Sequence, residues 1–100
     1  MAYTLFSVPS AKRAELDEVL KEDRVARQSQ KVREAQVLGG PAGELYVLIE
    51  GAPDAVALAE ERLAKIGTRP NATDREKLKA QFQAEDEAAS VGMGLLFTEG

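Results

Sequence analysis

The sequence predicts an α+β protein of the ferredoxin-like, split βαβ type, with an antiparallel sheet and one extra helix before the last strand. The first observation is the order of segments: strand, helix, strand, strand, helix, helix, strand. The second is that the most polar predicted strand falls where this topology places a sheet edge, and the most apolar one falls in the middle. A chain of 100 residues has the usual size of one domain, so residues 1–100 are expected to form a single domain.

A run of strand-forming residues and a proline define the first strand and the first helix. Residues 3–8 (YTLFSV) are β-branched, aromatic and apolar, and Pro9 ends the run. Ser10 can then cap a helix that we expect to reach about Asp23. The apolar residues of this helix share one stripe: Leu16, Val19 and Leu20.

The second and third strands flank a glycine-rich break, GGPAG at residues 39–43. We expect the second strand to start near Lys31, after a loop, because polar and apolar residues alternate from there as far as Leu38. The third strand, from Leu45 to Glu50, is apolar on both alternating faces, which is typical of a central strand.

The glycine break could turn the chain or hold a phosphate. Phosphate-binding loops place glycines between a strand and a helix, so that backbone N–H groups and the helix N-terminus converge on the anion. Here the glycines separate two strands, and neither a GxxxxGK motif nor a GxGxxG motif is present. The break therefore predicts a turn with glycines at positive φ and Pro41 at a corner. A loop that closes over a ligand is the alternative.

Two helices are predicted in the second half of the chain. The first starts at residues 52–54 (APD), with proline at the first helical position, and ends before Gly67. The second starts with a capping box at residues 73–76 (TDRE) and extends to about Val91. Its apolar stripe is narrow: Leu78, Phe82 and Ala89. Residues 93–100 are the predicted last strand.

The composition excludes several kinds of chemistry. Without cysteine or histidine, the chain has no thiolate nucleophile, no disulfide and none of the commonest zinc and copper ligands. We expect no cofactor and no metal, and we interpret the acidic run Glu85-Asp86-Glu87 as a solvated helix face. There is no basic-then-apolar leader and no apolar run of the ~20 residues that span a bilayer, so we expect a cytoplasmic protein with no membrane partner.

One stretch is locally basic in a chain whose formal net charge is −4. It contains Lys21, Arg24, Arg27, Lys31 and Arg33. Three of these residues are candidates for binding an anionic ligand: Arg27, Lys31 and Arg33. The alternative is that charges on an edge strand prevent edge-to-edge aggregation. RNA binding at this edge is a third hypothesis, and the acidic total argues against it.

The two apolar faces of the central strands predict a homodimer. In a single split βαβ domain, helices cover one sheet face, so something else must cover the other. We expect the last predicted helix to be too narrow for this, which favours a second copy of the chain stacked on the sheet. The candidate interface residues are Tyr46, Leu48 and Phe6.

The leading functional hypothesis is a small, homo-oligomeric, non-catalytic binding or regulatory module. Its expected partners are a second copy of the chain and an anionic small molecule or another protein. The alternative is a small dimeric α+β-barrel enzyme with a pocket between sheet and helices, using Tyr, Lys or a carboxylate as acid or base.

Overall fold

The computed structural model describes residues 2–84, which form a small, compact α+β structure around a three-stranded antiparallel sheet. The strands are β1 (Ala2–Pro9), β2 (Ser29–Glu34) and β3 (Glu44–Gly51). Their order in the sheet is β1-β3-β2, and both neighbours run antiparallel to β3. The apolar third strand is therefore central and the polar second strand is next to it, as expected. The predicted last strand lies outside the described residues.

The helices are α1 (Arg13–Lys21), α2 (Asp23–Ala26), α3 (Pro53–Leu63) and α4 (residues 72–84). The single first helix predicted to reach Asp23 is wrong in detail. Ser10 begins a 3-10 turn and makes no side-chain cap, and the backbone becomes extended at Glu22 before α2. This break lets Val25 of α2 turn into the core, where it is fully buried.

Strand β2 is shorter than the alternating pattern predicted. It ends at Glu34, and residues Ala35–Leu38 form a 3-10 turn instead of continuing the strand. Ala35 is fully buried there, and its carbonyl accepts the N–H of Gly40 at 2.7 Å. Burial of a small side chain and a local hydrogen bond therefore override the alternation.

The starts of α3 and α4 are set by different signals. Pro53 occupies the beginning of α3, as predicted. Helix α4 begins two residues earlier than a cap at Thr73 would require, because the Oδ1 atom of Asn71 accepts the N–H of Asp74 at 2.8 Å. The predicted capping box is therefore wrong, and Asn71 caps the helix.

The first hydrophobic core lies between one face of the sheet and α1, α2 and α3. From the strands it contains Phe6, Val8, Leu45, Val47 and Ile49. The helices contribute Leu16, Val25, Ala59 and Leu63. Helix α3 contacts both β1 and β3, and its buried residues face the sheet.

The second hydrophobic core lies on the other sheet face, beneath α4. Leu5 and Leu48 are register partners in β1 and β3, and they pack against Leu78 and Phe82 of α4. The expectation that this helix is too narrow to cover the face is wrong. Leu78 and Phe82 stand four residues apart, so they share one helix face. Together with Tyr3, Leu38 and Tyr46 they pack around Leu5 and Leu48, which are 0% and 1% exposed. Ala89 of the predicted stripe lies outside the described residues.

Polar contacts of Lys79, near the middle of α4, reinforce this packing. The Lys79 ammonium lies 4.1 Å from the centre of the Tyr3 ring and 4.0 Å from a carboxylate oxygen of Glu50.

Within residues 2–84, no helix has the length and apolar character required to cross a bilayer.

If α4 stabilises the fold by covering this face, Phe82→Ala should destabilise the protein strongly. Phe82 is 1% exposed, and replacing such a side chain by alanine costs about 3–5 kcal/mol in unfolding free energy. Urea denaturation measures this change. Gln83→Ala, at the next and exposed position, is the control and should change stability by no more than about 0.5 kcal/mol. Equal effects of the two substitutions would contradict the packing of α4.

Thr4 offers a second stability test. Its side chain is fully buried, and its hydroxyl has no hydrogen-bond partner within the described residues. A buried hydroxyl without a partner costs about 1–3 kcal/mol, so Thr4→Val should leave stability unchanged or raise it, by about 1 kcal/mol. The exposed Thr68→Val is the control. Destabilisation by Thr4→Val in urea titrations would show that the hydroxyl is satisfied after all.

Candidate functional site

A cleft of about 340 Å³ opens on the second sheet face, between α4 and the glycine break. We refer to it as the glycine-loop cleft. Its volume is at the small end of the ~300–1,000 Å³ typical of ligand pockets. The floor comes from the sheet, one wall from residues 38–40, and the other wall from α4, with Pro70 at one end.

The floor of the glycine-loop cleft consists of Ser7 and Tyr46, which are register partners in β1 and β3. The Ser7 hydroxyl donates a hydrogen bond of 2.9 Å to a carboxylate oxygen of Glu44. Tyr46 is half-buried, and its ring and hydroxyl lie so close to Gly40 that a Cβ atom there would overlap them. A side chain at position 40 would therefore displace the Tyr46 ring from its place at the floor of the cleft.

The glycine break turns the chain between β2 and β3, as predicted. Gly39 and Gly43 have φ angles of 82° and 83°, which glycine adopts without the steric cost that other residues incur. The carbonyl of Gly43 accepts the N–H of Ser10 at 2.8 Å, which fixes the end of the loop to the end of β1. The ligand-loop alternative also gains support, because Gly39 and Gly40 line the cleft.

The α4 wall carries the charged groups of the glycine-loop cleft. Asp74, Lys77, Leu78 and Gln81 all line it. Their spacing of three, four and seven residues from Asp74 places them on one helix face. Leu78 anchors this face in the second core, and the polar residues on either side of it border the cleft. The cleft thus combines a carboxylate, an ammonium, an amide and two hydroxyls.

The three basic candidates are not part of this cleft. Arg27 follows α2, which packs against α1 and α3, and its guanidinium pairs with Asp23 at 3.3 Å. Lys31 and Arg33 lie on β2 beside Leu48 and Tyr46, two residues apart on the second sheet face. The Arg33 Nη1 atom donates to the Val32 carbonyl at 2.9 Å, and both Lys31 and Arg33 make further interactions within the chain. The structure therefore brings two of the three together and separates Arg27.

The three candidate interface residues occupy different places. Phe6 is 2% exposed in the first core, and Leu48 is 1% exposed in the second, so both are enclosed by their own chain. Tyr46 is half-buried at the floor of the glycine-loop cleft. Their burial within one chain removes the uncovered apolar face from which pairing was inferred. Self-association stays a prediction.

A second, wider cleft of about 600 Å³ lies between α3 and residues 67–69. Its floor is the buried ring of Phe6, and its charged groups include Glu60 and Arg69, which pair with each other at 3.2 Å. Backbone bonds of 2.8 Å in both directions between Ser7 and Thr68 hold residue 68 against β1. This second cleft is larger but more open than the glycine-loop cleft. We favour the glycine-loop cleft because its charged groups, Asp74 and Lys77, are not paired with each other.

Sequence reasoning missed Ser7, Asp74 and Lys77 as site residues. The helical spacing of Asp74, Lys77 and Gln81 around the apolar Leu78 is visible in the sequence, but it also describes an ordinary solvated helix flank. Within residues 2–84, no group of three or more acidic side chains could hold a metal ion. The acidic run at residues 85–87 lies outside the described residues.

Comparisons with protein-family models, with curated proteins and with solved structures give no match to this chain.

Proposed function

We propose that this protein is a small, non-catalytic binding or regulatory module whose ligand occupies the glycine-loop cleft. The observation that carries the proposal is the convergence of polar groups from three separate parts of the chain. Ser7 and Tyr46 come from the sheet, Gly39 and Gly40 from the loop, and Lys77 with its neighbours from α4. A few convergent polar groups around a mostly preformed concavity are the usual features of a ligand site.

The position of α4 supports this function physically. Leu78 and Phe82 hold the helix on the sheet by apolar contacts, so the polar side chains beside Leu78 are presented from a fixed element. The opposite wall includes Gly39 and Gly40, which have no side chain to fill the cleft.

We also infer that the complete sheet is of the ferredoxin-like type. The strand order β1-β3-β2, with β1 and β2 both antiparallel to the strand between them, supports this inference. A fourth strand beside β1 would complete the order. Such a fold hosts many functions, so the site and not the topology carries the proposed function.

A second candidate function is a small enzyme that works in the same cleft. The presence of Tyr46, Lys77 and Asp74 there favours it, because these are side chains that can donate or accept protons. The space between the sheet and α1 and α3, where a barrel enzyme would hold its substrate, is filled by the first core. Chemical conversion of a bound ligand, followed by NMR, would distinguish the enzyme from the binding module.

The test of the proposed function fills the cleft. Gln81→Trp should occupy it, whereas Gln83→Trp places the same side chain on an exposed position two residues along α4. In a thermal-shift screen of small polar molecules, compounds that raise the Tm of the unaltered protein and of Gln83→Trp should fail to raise that of Gln81→Trp. Ligand-observed NMR measures the same loss directly.

Two outcomes would contradict the proposal. In one, compounds bind all three proteins equally, which places their site elsewhere. In the other, neither the screen nor a pull-down with the unaltered protein finds any ligand or partner.

Self-association is a separate part of the proposed function. A homodimer is expected to elute with twice the mass of the 10.8 kDa chain in light scattering at micromolar concentration. Because Leu48 and Phe6 are enclosed within the chain, Tyr46 is the candidate interface residue that is still partly exposed, and Tyr46→Ala should weaken pairing. Leu58→Ala, on α3 and away from that face, is the control. A monomer at this concentration would remove oligomerisation from the proposal.

A further inference from the structure

Two side chains of opposite charge, Asp74 and Lys77, line the glycine-loop cleft. Elsewhere in the described range some charged residues form ion pairs: Arg13 with Asp17, Arg27 with Asp23, Arg69 with Glu60 and Lys79 with Glu50. Asp74 and Lys77, although they line the same cleft one turn apart, form no ion pair with each other. Within residues 2–84, neither side chain has a hydrogen-bond or ion-pair partner. The cleft therefore presents one free carboxylate and one free ammonium.

The uncharged groups divide in the same way into donors and acceptors. The Ser7 hydroxyl uses its proton on Glu44, so its oxygen can face a ligand only as an acceptor. The Tyr46 hydroxyl has no hydrogen-bond partner within the described residues, so its proton can be donated to a ligand. Ser7 thus supplements Asp74, which accepts, and Tyr46 supplements Lys77, which donates.

We propose that the ligand of the glycine-loop cleft is a small zwitterion, such as a free α-amino acid, with its ammonium on Asp74 and its carboxylate on Lys77. This inference deepens the proposed function and rests on it. A purely anionic ligand would meet Lys77 but would also face the Asp74 carboxylate. A ligand that carries both charges satisfies both side chains.

The spacing of the two charges fits a ligand of this class. Three residues of α-helix rise about 4.5 Å, so Asp74 and Lys77 stand next to each other along the wall. Their charges can therefore contact the two ends of a molecule of a few heavy atoms. Charge-assisted hydrogen bonds are the strongest polar contacts available here, and Asp74 and Lys77 both line this partly enclosed space.

The test compares free amino acids with analogues that lack one charge. Binding of glycine, alanine, leucine and glutamine is measured by ligand-observed NMR, beside their N-acetyl forms, which lack the ammonium, and their methyl esters, which lack the carboxylate. For the unaltered protein, at least one free amino acid should bind about two- to fivefold more tightly than either of its analogues, because Asp74 and Lys77 are exposed and exposed ion pairs are weak.

Matched variants assign each charge to its side chain. Asp74→Asn should abolish the preference for the free amino acid over its N-acetyl form, and Lys77→Gln should abolish the preference over its methyl ester. Glu76→Gln and Lys65→Gln remove the same charges from exposed positions outside the cleft and should change neither preference. Circular dichroism and urea titration check that all four variants fold.

The outcomes separate this inference from the proposed function. In one outcome, uncharged or singly charged compounds bind to the unaltered protein and not to Gln81→Trp, and no free amino acid binds. The ligand class is then wrong, and the binding site stands. If free amino acids bind but Asp74→Asn and Lys77→Gln leave both preferences intact, the assignment of the charges is overturned. If nothing binds in the cleft, both proposals fail.

Discussion

The central strand needs apolar cover on both of its faces, and the rest of the structure follows from this constraint. In β3, Val47 and Ile49 point to one face and Leu48 to the other, and all three are almost completely buried. Exposing such a strand to water would forgo most of the stabilisation that holds a small domain together, roughly 25 cal/mol for each Å² of apolar surface. Helices α1 and α3 cover the first face and α4 covers the second.

The way in which α4 covers the second face also creates the candidate site. Leu78 and Phe82 meet the sheet at Leu5 and Leu48, and a gap separates the helix from the glycine break. The space left between them is the glycine-loop cleft. One helix therefore has two roles, because its apolar stripe completes the core while the polar residues beside the stripe face a concave surface. This coupling explains why the site lies at the margin of the second core.

Some sequence expectations failed because the pattern on which they rest has more than one physical solution. Alternation through Leu38 is compatible with a longer strand, but a buried Ala35 and a hydrogen bond from Gly40 favoured a 3-10 turn. The narrow stripe on α4 indicated a helix lying on the flank, yet its two large side chains, one turn apart, pack directly on the leucine pair of the sheet. In the first case a local hydrogen bond decides the structure, and in the second the deciding partners are remote in sequence. Hydrophobic spacing describes neither of them.

The sequence by itself determined the three strands and the main helices of the described residues and their order, because hydrophobic periodicity, proline and glycine act locally. It also determined that β3 is central and that the glycines turn the chain, since both follow from residue type. It did not determine the break between α1 and α2 or the 3-10 turns. The tertiary structure decided which element covers the second face and which polar residues meet. Ser7, Tyr46 and Lys77 are far apart in the chain, and only the docking of α4 on the sheet places them around one cleft.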